Sequence, residues 1–155
     1  MSATVFETLA QKLTAAGVNF EVLRHAAVYT SQEAAEVRGT TLASGAKALV
    51  CKADERFVMF VLPADRKLAS KQVRSGAGIK SLRFATREEV EQLTALAPGS
   101  IPPFGSLFSL PTYCDQRLAA EPRINFNAGD HSISIGMAYA AYEQYEQPTL
   151  GDFAE

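Results

Sequence analysis

Apolar side chains near the start of the chain recur at helical spacing. Thr4 followed by Glu7 fits a capping box, in which each side chain bonds the backbone N–H of the other residue. The run that follows keeps one apolar face until Gly17 and predicts a first helix. The same capping pattern precedes two further helical stretches, which are predicted to begin after Thr30 and after Thr86.

Two neighbouring apolar runs have the composition of strands. Ala46 to Ala53 and Arg56 to Leu62 are joined by the polar pair Asp54-Glu55, so a β-hairpin is the economical connection. The second run is apolar at both phases of the pleat, which predicts a central strand covered on both faces. A basic helix is predicted from Arg66 to Ser75. Further strands are predicted at residues 82–85, 107–110, 112–114, 124–126 and 132–137, before a final helix at 138–145.

Strands and helices interleave without the regular spacing of βαβ units, and no repeat or low-complexity linker divides the chain. This order predicts an α+β, or mixed α/β, fold built on a curved, partly barrel-like mixed sheet with flanking helices. A parallel doubly wound sheet fits the order less well. The length of 155 residues favours one domain spanning residues 1–155.

Charge changes this picture only when it is followed along the chain. The net charge of -2 gives no overall attraction to nucleic acid. Between Arg66 and Arg87, however, every Asp and Glu is missing while Lys and Arg recur, and we name this segment the basic block. It is either a solvated surface or a phosphate-facing patch. Its candidate phosphate-binding residues are Arg66, Lys67, Lys71 and Arg74.

The common signatures of catalysis are absent from the chain. It contains no P-loop, no GxSxG, no HExxH and no GxGxxG ahead of a helix. With only His25 and His131, the chain has too few histidines for a three-histidine zinc site. The number of residues would still permit a metal site made of histidine and carboxylate ligands. No metal and no cofactor is expected. Cys51 and Cys114 lie apart in apolar stretches, which predicts buried reduced thiols. Without a signal-peptide pattern or an apolar run of about 20 residues, a cytoplasmic location is expected.

Lys47 is a cation inside an apolar strand-like run. It shares a pleat face with Leu49 and Cys51, whose character predicts burial. Lysine is rarely fully buried without a partner. Lys47 therefore either extends to solvent from the start of the strand, or is held at the mouth of a pocket to receive a phosphate or carboxylate.

The segment Pro98 to Gly105, PGSIPPFG, contains three prolines and two glycines, and its backbone must be stiff and sharply bent. We name it the proline loop. It is either an ordinary connection or a rigid loop whose backbone N–H groups form an anion nest or oxyanion hole. Because proline has no N–H, the candidate donors are Gly99, Ser100, Ile101, Phe104 and Gly105.

A polar turn between two strand-like runs carries Asn127, Gly129, Asp130 and His131. A plain hairpin loop explains these residues. Asn, Asp and His together also suit the orientation of a water molecule or the binding of a ribose hydroxyl. The residue types do not choose between the two interpretations.

Three pieces in order, AKALV with Lys47, GSIPPFG at 99–105 and NAGDHSISIGM at 127–137, resemble the YbaK/EbsC family and the editing insertion domain of bacterial prolyl-tRNA synthetases. The resemblance spans His25 to Met137, and the joint order and spacing of the pieces carry it. It implies a deacylase that hydrolyses the ester of mischarged aminoacyl-tRNA in trans. Mischarged tRNA is then the substrate, and an aminoacyl-tRNA synthetase is a candidate partner protein.

The resemblance also implies roles for particular residues. Lys47 would contact the terminal nucleotide of the tRNA or the aminoacyl group, and backbone amides of the loop with Gly99 would hold the substrate carbonyl. The implied catalytic residues are Lys47, Gly99, Ser100 and Ile101. The implied substrate-binding residues are His25, Pro103, Phe104, Gly105, Asn127, Gly129, Asp130 and His131. The basic block would bind tRNA through Arg66, Lys67, Lys71 and Arg74.

One departure from the family concerns Ala48, which stands where members commonly have threonine, so any polar contact of that hydroxyl is missing. Family members divide among alanyl-, cysteinyl-, seryl- and threonyl-tRNAs, and side chains lining the pocket decide among them. The sequence indicates neither the substrate nor an oligomeric state. Two alternatives stay open: a non-catalytic tRNA- or synthetase-binding module of the same fold, and a small-molecule hydrolase or nucleotide-binding protein.

Overall fold

A computed structural model describes residues 3–155. The helices are α1 (Val5–Ala15), α2 (Ser31–Arg38), α3 (Ser70–Ala77), α4 (Arg87–Thr94), a 3₁₀ helix (Gly105–Phe108), α5 (Gln116–Ala119) and α6 (Tyr139–Glu146). The strands are β1 (Glu21–Arg24), β2 (Ala46–Ala53), β3 (Arg56–Pro63), β4 (Leu82–Phe84), β5 (Thr112–Asp115), β6 (Arg123–Asp130), β7 (Ile133–Ala138) and β8 (Thr149–Gly151). Within residues 3–155, no helix combines the length and apolar character needed to cross a membrane.

Two open sheets organise the described residues. One is antiparallel with the order β1-β7-β6, and the other is mixed with the order β4-β2-β3-β5-β8. A single bridge between Gly45 and Asn125 joins them. The α+β prediction is confirmed, but the barrel-like description is wrong. Closing a barrel requires the first and last strands to pair, whereas β4 and β8 remain edge strands of three residues each.

The hairpin predicted around Asp54-Glu55 is confirmed, with β2 and β3 paired antiparallel along their whole length. β3 is buried from Val58 to Pro63, as predicted for a central strand. Its alternate side chains enter two clusters on opposite faces of the sheet. Met59 belongs to the larger cluster with α1 and α6, and Phe60 belongs to the smaller one with Val73 of α3. Each such side chain contributes roughly 1.5–3 kcal/mol through burial.

Helices begin where predicted when the capping residues are neighbours in sequence. Thr30 and Thr86 each form a complete capping box, and the Thr4 hydroxyl accepts the backbone N–H of Glu7. Helix α3 differs, because it begins at Ser70 rather than at Arg66. The backbone just before it is committed elsewhere: residues 67 and 69 hydrogen-bond the chain end at residues 153 and 155. Residues 66–69 of the predicted helix, including the basic residues Arg66 and Lys67, therefore lie in a connecting segment.

The predicted strand at 107–110 is wrong, because the 3₁₀ helix occupies its first two residues and no strand forms in the other two. The N–H of Leu107 donates to the Phe104 carbonyl at 3.0 Å, and that of Leu110 donates to the Gly105 carbonyl at 2.9 Å. Ser109 then adopts a left-handed conformation with φ 59° and ends the turn. These tight local bonds bring the chain from the proline loop to β5 without strand pairing.

Candidate functional site

A cavity of about 200 Å³ lies between α2, the start of β2, the proline loop and the β6–β7 turn. Five of the predicted site residues line it: Lys47, Gly99, Ile101, Asn127 and His131. No carboxylate belongs to the lining among the described residues, while two cations do. The cavity is therefore suited to an anionic or carbonyl-bearing ligand and not to a cationic group.

Lys47 is the second residue of β2 and is half-buried. Its ammonium donates a hydrogen bond to the backbone carbonyl of Arg66. Burial lowers the pKa of Lys47, Lys67 acts in the same direction, and Asp65 opposes them. Within residues 3–155, no carboxylate forms an ion pair with this ammonium. Its charge is therefore available to a ligand that displaces the carbonyl.

Three of the predicted amide donors of the proline loop are occupied inside the protein. The N–H groups of Ser100 and Phe104 donate to nearby backbone carbonyls at 3.2 and 2.8 Å. The N–H of Gly105 donates to the Thr112 hydroxyl at 3.0 Å. Ser100 is also buried and lies outside the cavity lining. These three amides cannot hold a substrate carbonyl without first losing an internal bond.

The two remaining donors are the N–H groups of Gly99 and Ile101, for which the described part of the chain offers no acceptor. Both residues line the cavity. The segment is held from behind, because Asn127 Nδ2 donates to the Gly99 carbonyl at 2.8 Å and the Gly129 N–H donates to the Ser100 carbonyl at 2.8 Å. Gly99 has φ 91°, a conformation that glycine adopts without strain.

The second half of the proline loop belongs to the core. Pro103, Phe104 and Gly105 are buried and lie outside the cavity lining. The Phe104 ring packs edge-on against Phe126 and Tyr142, with centroids 5.5 and 5.1 Å apart. The Tyr142 hydroxyl donates to the Pro103 carbonyl at 2.7 Å. Their location fits a role in holding the loop rather than the predicted contact with substrate.

Two residues of the β6–β7 turn also point to structural roles. An added Cβ at Gly129 would lie 3.2 Å from the Val5 side chain, so glycine lets α1 approach the turn. Asp130 accepts hydrogen bonds from the backbone and the hydroxyl of Ser132, which lower the pKa of its carboxyl. Neither residue belongs to the cavity lining.

His131 does line the cavity, and its ring packs at a tilt of 41° against that of Tyr29, with centroids 4.7 Å apart. Its Nδ1 lies 3.1 Å from the Val28 carbonyl. A carbonyl only accepts, so Nδ1 carries the hydrogen and Nε2 of the neutral ring is an acceptor. Nε2 has no hydrogen-bond partner among residues 3–155. It is available to a water molecule or a hydroxyl in the cavity.

His25 does not belong to the cavity lining. Its Nδ1 is 2.8 Å from the Ala26 carbonyl and its Nε2 is 2.8 Å from Ser134 Oγ. Ser134 Oγ also accepts a hydrogen bond from Nε of Arg38 at 2.8 Å. The predicted substrate-binding histidine therefore reaches the cavity only through Ser134 and Arg38.

Among the lining residues that were not anticipated from the sequence are Arg38 and Tyr29. Arg38 ends α2, and a cation in the last turn is what the helix dipole favours in any helix. Its position therefore carried no distinguishing signal. Burial lowers the pKa of Arg38 to about 10, which leaves it charged at neutral pH. Tyr29 precedes the cap of α2 and is 73% exposed, as an ordinary loop residue can be.

The predicted tRNA-binding residues of the basic block are exposed: Arg66, Lys67, Lys71 and Arg74. In the part of the chain that the structure describes, none of them forms an ion pair. The block begins beside the cavity, since Ala64 lines the cavity and the Arg66 carbonyl accepts from Lys47. A basic surface thus adjoins the rim.

The two cysteines are poor candidates for a nucleophile. Cys51 and Cys114 are both fully buried, and neither lines the cavity. Burial raises the pKa of each thiol to about 12. The thiolate, which is the reactive form, is therefore scarce at neutral pH.

Residues 25–145 match the model of the aminoacyl-tRNA editing domain family. The chain is 36% identical over 146 residues to the multifunctional Ser/Thr-tRNA deacylase ProXp-y of Escherichia coli strain K12, which covers 91% of this chain and 87% of that protein. It is 34% identical over 110 residues to the proline–tRNA ligase of Shouchella clausii, covering 69% of this chain and 19% of the ligase.

Two solved structures share the fold. One, described as a candidate trans-editing enzyme for prolyl tRNA synthetase, has a TM-score of 0.87 at 24% identity and covers 100% of this chain and 99% of its own. The structure of the hypothetical protein APE2540 has a TM-score of 0.88 at 21% identity, and the match covers 96% of this chain and 100% of that one. The resemblance drawn from the sequence is confirmed. With most of its length matched by the family model, the chain belongs to the aminoacyl-tRNA editing domain family.

Proposed function

We propose that this protein hydrolyses the ester bond of mischarged aminoacyl-tRNA in trans, after a separate synthetase has charged the tRNA. The observation that carries the proposal is the cavity, in which Lys47 meets the two uncommitted amides of Gly99 and Ile101. Membership of the editing family supports it. Because the relative from E. coli is a Ser/Thr-tRNA deacylase, seryl- and threonyl-tRNA are the first substrates to test.

The proposed reaction needs no protein nucleophile. Water attacks the ester carbonyl carbon, the bond to the ribose oxygen breaks, and that oxygen takes a proton, which leaves free amino acid and uncharged tRNA. The N–H groups of Gly99 and Ile101 stabilise the oxyanion that forms on the way. Donors that are already positioned typically supply several kcal/mol of transition-state stabilisation, on the order of 3 kcal/mol each. The proton of the attacking water reaches the leaving ribose oxygen by one of two routes. Either His131 Nε2 accepts it and then donates it to that oxygen, or the neighbouring ribose hydroxyl accepts it and passes its own proton on to that oxygen.

Lys47 has a binding role in this scheme. The amino group of the substrate is cationic, and a cavity whose described lining includes two cations and no carboxylate repels it. The ammonium of Lys47 therefore pairs with a phosphate of the terminal nucleotide or with the ester carbonyl. The amino group lies toward the opening, where water screens its charge.

The size of the cavity limits the amino acid. About 200 Å³ is less than the roughly 300–1,000 Å³ of pockets that enclose drug-sized ligands. A small side chain such as that of alanine, serine, cysteine or threonine fits beside the ribose, whereas a large aromatic one does not. Ala48 and Leu49 offer the lining no hydroxyl, so selection among small side chains rests on size and on other polar groups.

The deciding experiment measures deacylation of Ala-, Cys-, Ser-, Thr- and Pro-charged tRNAs by the wild-type protein and by Lys47→Ala. We expect hydrolysis of at least one small-residue tRNA, and loss of a charge-assisted contact, about 1.5–3 kcal/mol, should slow it roughly tenfold to over a hundredfold. Circular dichroism checks that the variant is folded. Tight binding of tRNA without hydrolysis of any substrate would instead identify a non-catalytic binding module.

Three further expectations belong to this proposal and await their own tests. Residues 1–155 act as one domain, the protein works in the cytoplasm where charged tRNA is used, and an aminoacyl-tRNA synthetase is a transient partner. The partial match to a proline–tRNA ligase supports the last of these. Co-purification from cells with a synthetase, with and without nuclease treatment, separates a direct contact from one bridged by tRNA.

A further inference from the structure

Arg38 is the second cation in the lining of the cavity, and the proposed chemistry does not yet account for its charge. It ends α2 and is half-buried. Taking a guanidinium out of water costs free energy unless a partner compensates. Within residues 3–155, no carboxylate lies at ion-pair distance from it. A partly buried cation without a counter-ion in the protein indicates that a ligand supplies the counter-ion.

The guanidinium is held by neutral acceptors. Its Nε donates to Ser134 Oγ at 2.8 Å, Nη1 donates to Asn125 Oδ1 at 2.8 Å, and Nη2 donates to Asn127 Oδ1 at 2.9 Å. These acceptors orient the group without cancelling its charge. A guanidinium has five N–H donors, so these three bonds leave two donors for a ligand.

The acceptors are themselves fixed in orientation. The Nδ2 of Asn127 donates to the Gly99 carbonyl, which turns its amide oxygen toward Arg38. Ser134 accepts from Arg38, and its own hydroxyl hydrogen can go to His25 Nε2. His25 Nδ1 faces a backbone carbonyl and carries the ring hydrogen, so Nε2 accepts when the ring is neutral. The guanidinium is thus positioned before any ligand arrives, which reduces the entropy lost on binding.

We propose that Arg38 binds a phosphate of the tRNA acceptor end, as a second anchor beside Lys47. The inference rests on the proposed function. In aminoacyl-tRNA the carboxyl of the amino acid is esterified and its amino group is cationic, so the phosphodiester groups are the available anions. Guanidinium donates to two phosphate oxygens at once, which lysine does not. No carboxylate of the described lining competes for it.

The test measures binding of an uncharged minihelix with a seryl-tRNA acceptor stem and a CCA end. Neutral methylphosphonates replace its terminal linkages one at a time. Arg38→Gln should weaken binding of the unmodified RNA by about tenfold to a hundredfold. One methylphosphonate should weaken wild-type binding to a similar degree. If the two groups pair, combining both changes should cost little more than either change alone.

Matched variants separate this pairing from general charge and from folding. Arg56→Gln makes the same charge change outside the cavity lining and should bind as the wild type does. Arg38→Lys keeps the charge but loses the planar guanidinium that can donate to two phosphate oxygens at once, and it should retain part of the affinity. If Arg38→Gln does not fold, Arg38→Lys takes its place in the comparison with each modified RNA.

Two results would overturn the proposal. One is wild-type affinity in a folded Arg38→Gln. The other is that, at every linkage, the loss of affinity from the methylphosphonate and the loss from Arg38→Gln multiply as independent effects. Binding of uncharged RNA does not depend on hydrolysis. Deacylation by the wild type is measured alongside with the Ala-, Cys-, Ser-, Thr- and Pro-charged tRNAs. Paired losses without deacylation would refute the proposed hydrolysis alone, and deacylation without paired losses would refute the role of Arg38 alone.

Discussion

The two cysteine thiols distinguish the proposed mechanism from a covalent one. Both are fully buried, and both have a pKa raised to about 12. At pH 8 the thiolate fraction is therefore very small, and it grows only as the pH approaches the raised pKa. We expect iodoacetamide to label the native protein very slowly at pH 8 and to label it quickly in urea.

A mechanistic control accompanies the labelling. Cys51→Ala and Cys114→Ala should deacylate tRNA at rates close to the wild type, because each change only leaves a small cavity in the core. Rapid labelling of one thiol in the folded protein, together with loss of activity in a folded alanine variant, would establish a nucleophilic cysteine.

Lys47 is expected to cost the protein stability while serving its function. Burial lowers its pKa in the folded state, so over the range between the folded and unfolded pKa the unfolded chain binds more protons. The folded state therefore gains stability relative to the unfolded state as the pH rises through the lowered pKa. We expect the melting temperature of the wild type to rise with pH relative to that of Lys47→Met.

The measurement is thermal unfolding of both proteins between pH 7 and pH 10. Lys47→Met should be at least as stable as the wild type at pH 7 and yet deficient in deacylation. If the wild type were instead more stable at pH 7 and lost that advantage at higher pH, Lys47 would be a stabilising ion-pair residue in the folded protein.

Among the individual residues, the sequence indicated those whose type is unusual for their setting. Lys47 stands out in an apolar strand, and Gly99 stands out beside three prolines. Both line the cavity. Arg38 has no such contrast, since its environment depends on Asn125, Asn127 and Ser134 from the distant β6 and β7. Long-range contacts of this kind cannot be predicted from the type of a residue and of its neighbours in sequence.

The proline loop depends on its two glycines for different reasons. An added Cβ at Gly105 would lie 2.4 Å from Thr112 Oγ1 and 2.6 Å from the Leu110 carbonyl, so backbone would have to move. At Gly99 the nearest atom to such a Cβ is 3.4 Å away, and the strain is mainly conformational because φ is 91°. We expect Gly105→Ala to lower stability by about 2 kcal/mol or more. Gly99→Ala should cost about 1–2 kcal/mol.

Chemical denaturation measures both changes, and deacylation of the folded fraction separates them further. Gly99→Ala should reduce turnover beyond its effect on folding, because relief of the strain at φ 91° would turn the N–H, a proposed oxyanion donor, away from its present direction. Gly76→Ala serves as the control, since an added Cβ in α3 meets nothing within 4 Å. Equal stability of Gly105→Ala and the wild type would show that the loop tolerates a backbone shift.

The helices and strands differ in how far the sequence predicted them. The boxes at Thr30 and Thr86 are local, because four consecutive residues contain all the partners. The start of α3 depends on the pairing of residues 67 and 69 with the chain end, and the sequence shows no sign of that pairing. The 3₁₀ helix depends on the Gly105 N–H bond to Thr112 in the same way.

The arrangement of strands into sheets was predicted only in outline. Alternating and apolar runs in the sequence indicate where strands form. The order of strands in each sheet depends instead on which strand edges pair, and local patterns do not show this. Gly45, just before β2, forms one bridge to β6, and the two sheets otherwise remain separate and open. Nothing in the composition of β4 or β8 tells whether they meet, so the barrel-like prediction had no local support.

The basic block is expected to govern how tightly the whole molecule holds tRNA. Changing Arg66, Lys67, Lys71 and Arg74 together to Gln should weaken tRNA binding and flatten its dependence on salt. Each lost contact with duplex phosphate reduces the slope of log affinity against log salt by about 0.9, and each contact with single-stranded RNA reduces it by about 0.7. Filter binding at several salt concentrations measures the slope.

A matched variant changes four cations outside the block to Gln: Lys12, Arg24, Lys52 and Arg56. It carries the same change in net charge, so only the position of the charges differs. Similar slopes for the two variants would mean that net charge matters and the position of the block does not. An unchanged slope in the block variant would reduce the block to a solvated surface.

Because Lys47 donates a hydrogen bond to the Arg66 carbonyl, we expect recognition of the amino acid end and of the tRNA body to be thermodynamically linked. A ligand that draws the ammonium into the cavity would break this bond to Arg66, the first residue of the basic block. By linkage, an RNA backbone that repositions that residue must favour the loaded cavity by the same free energy. The protein would then respond cooperatively to the two ends of one molecule, and a free amino acid ester would engage only half of the coupling.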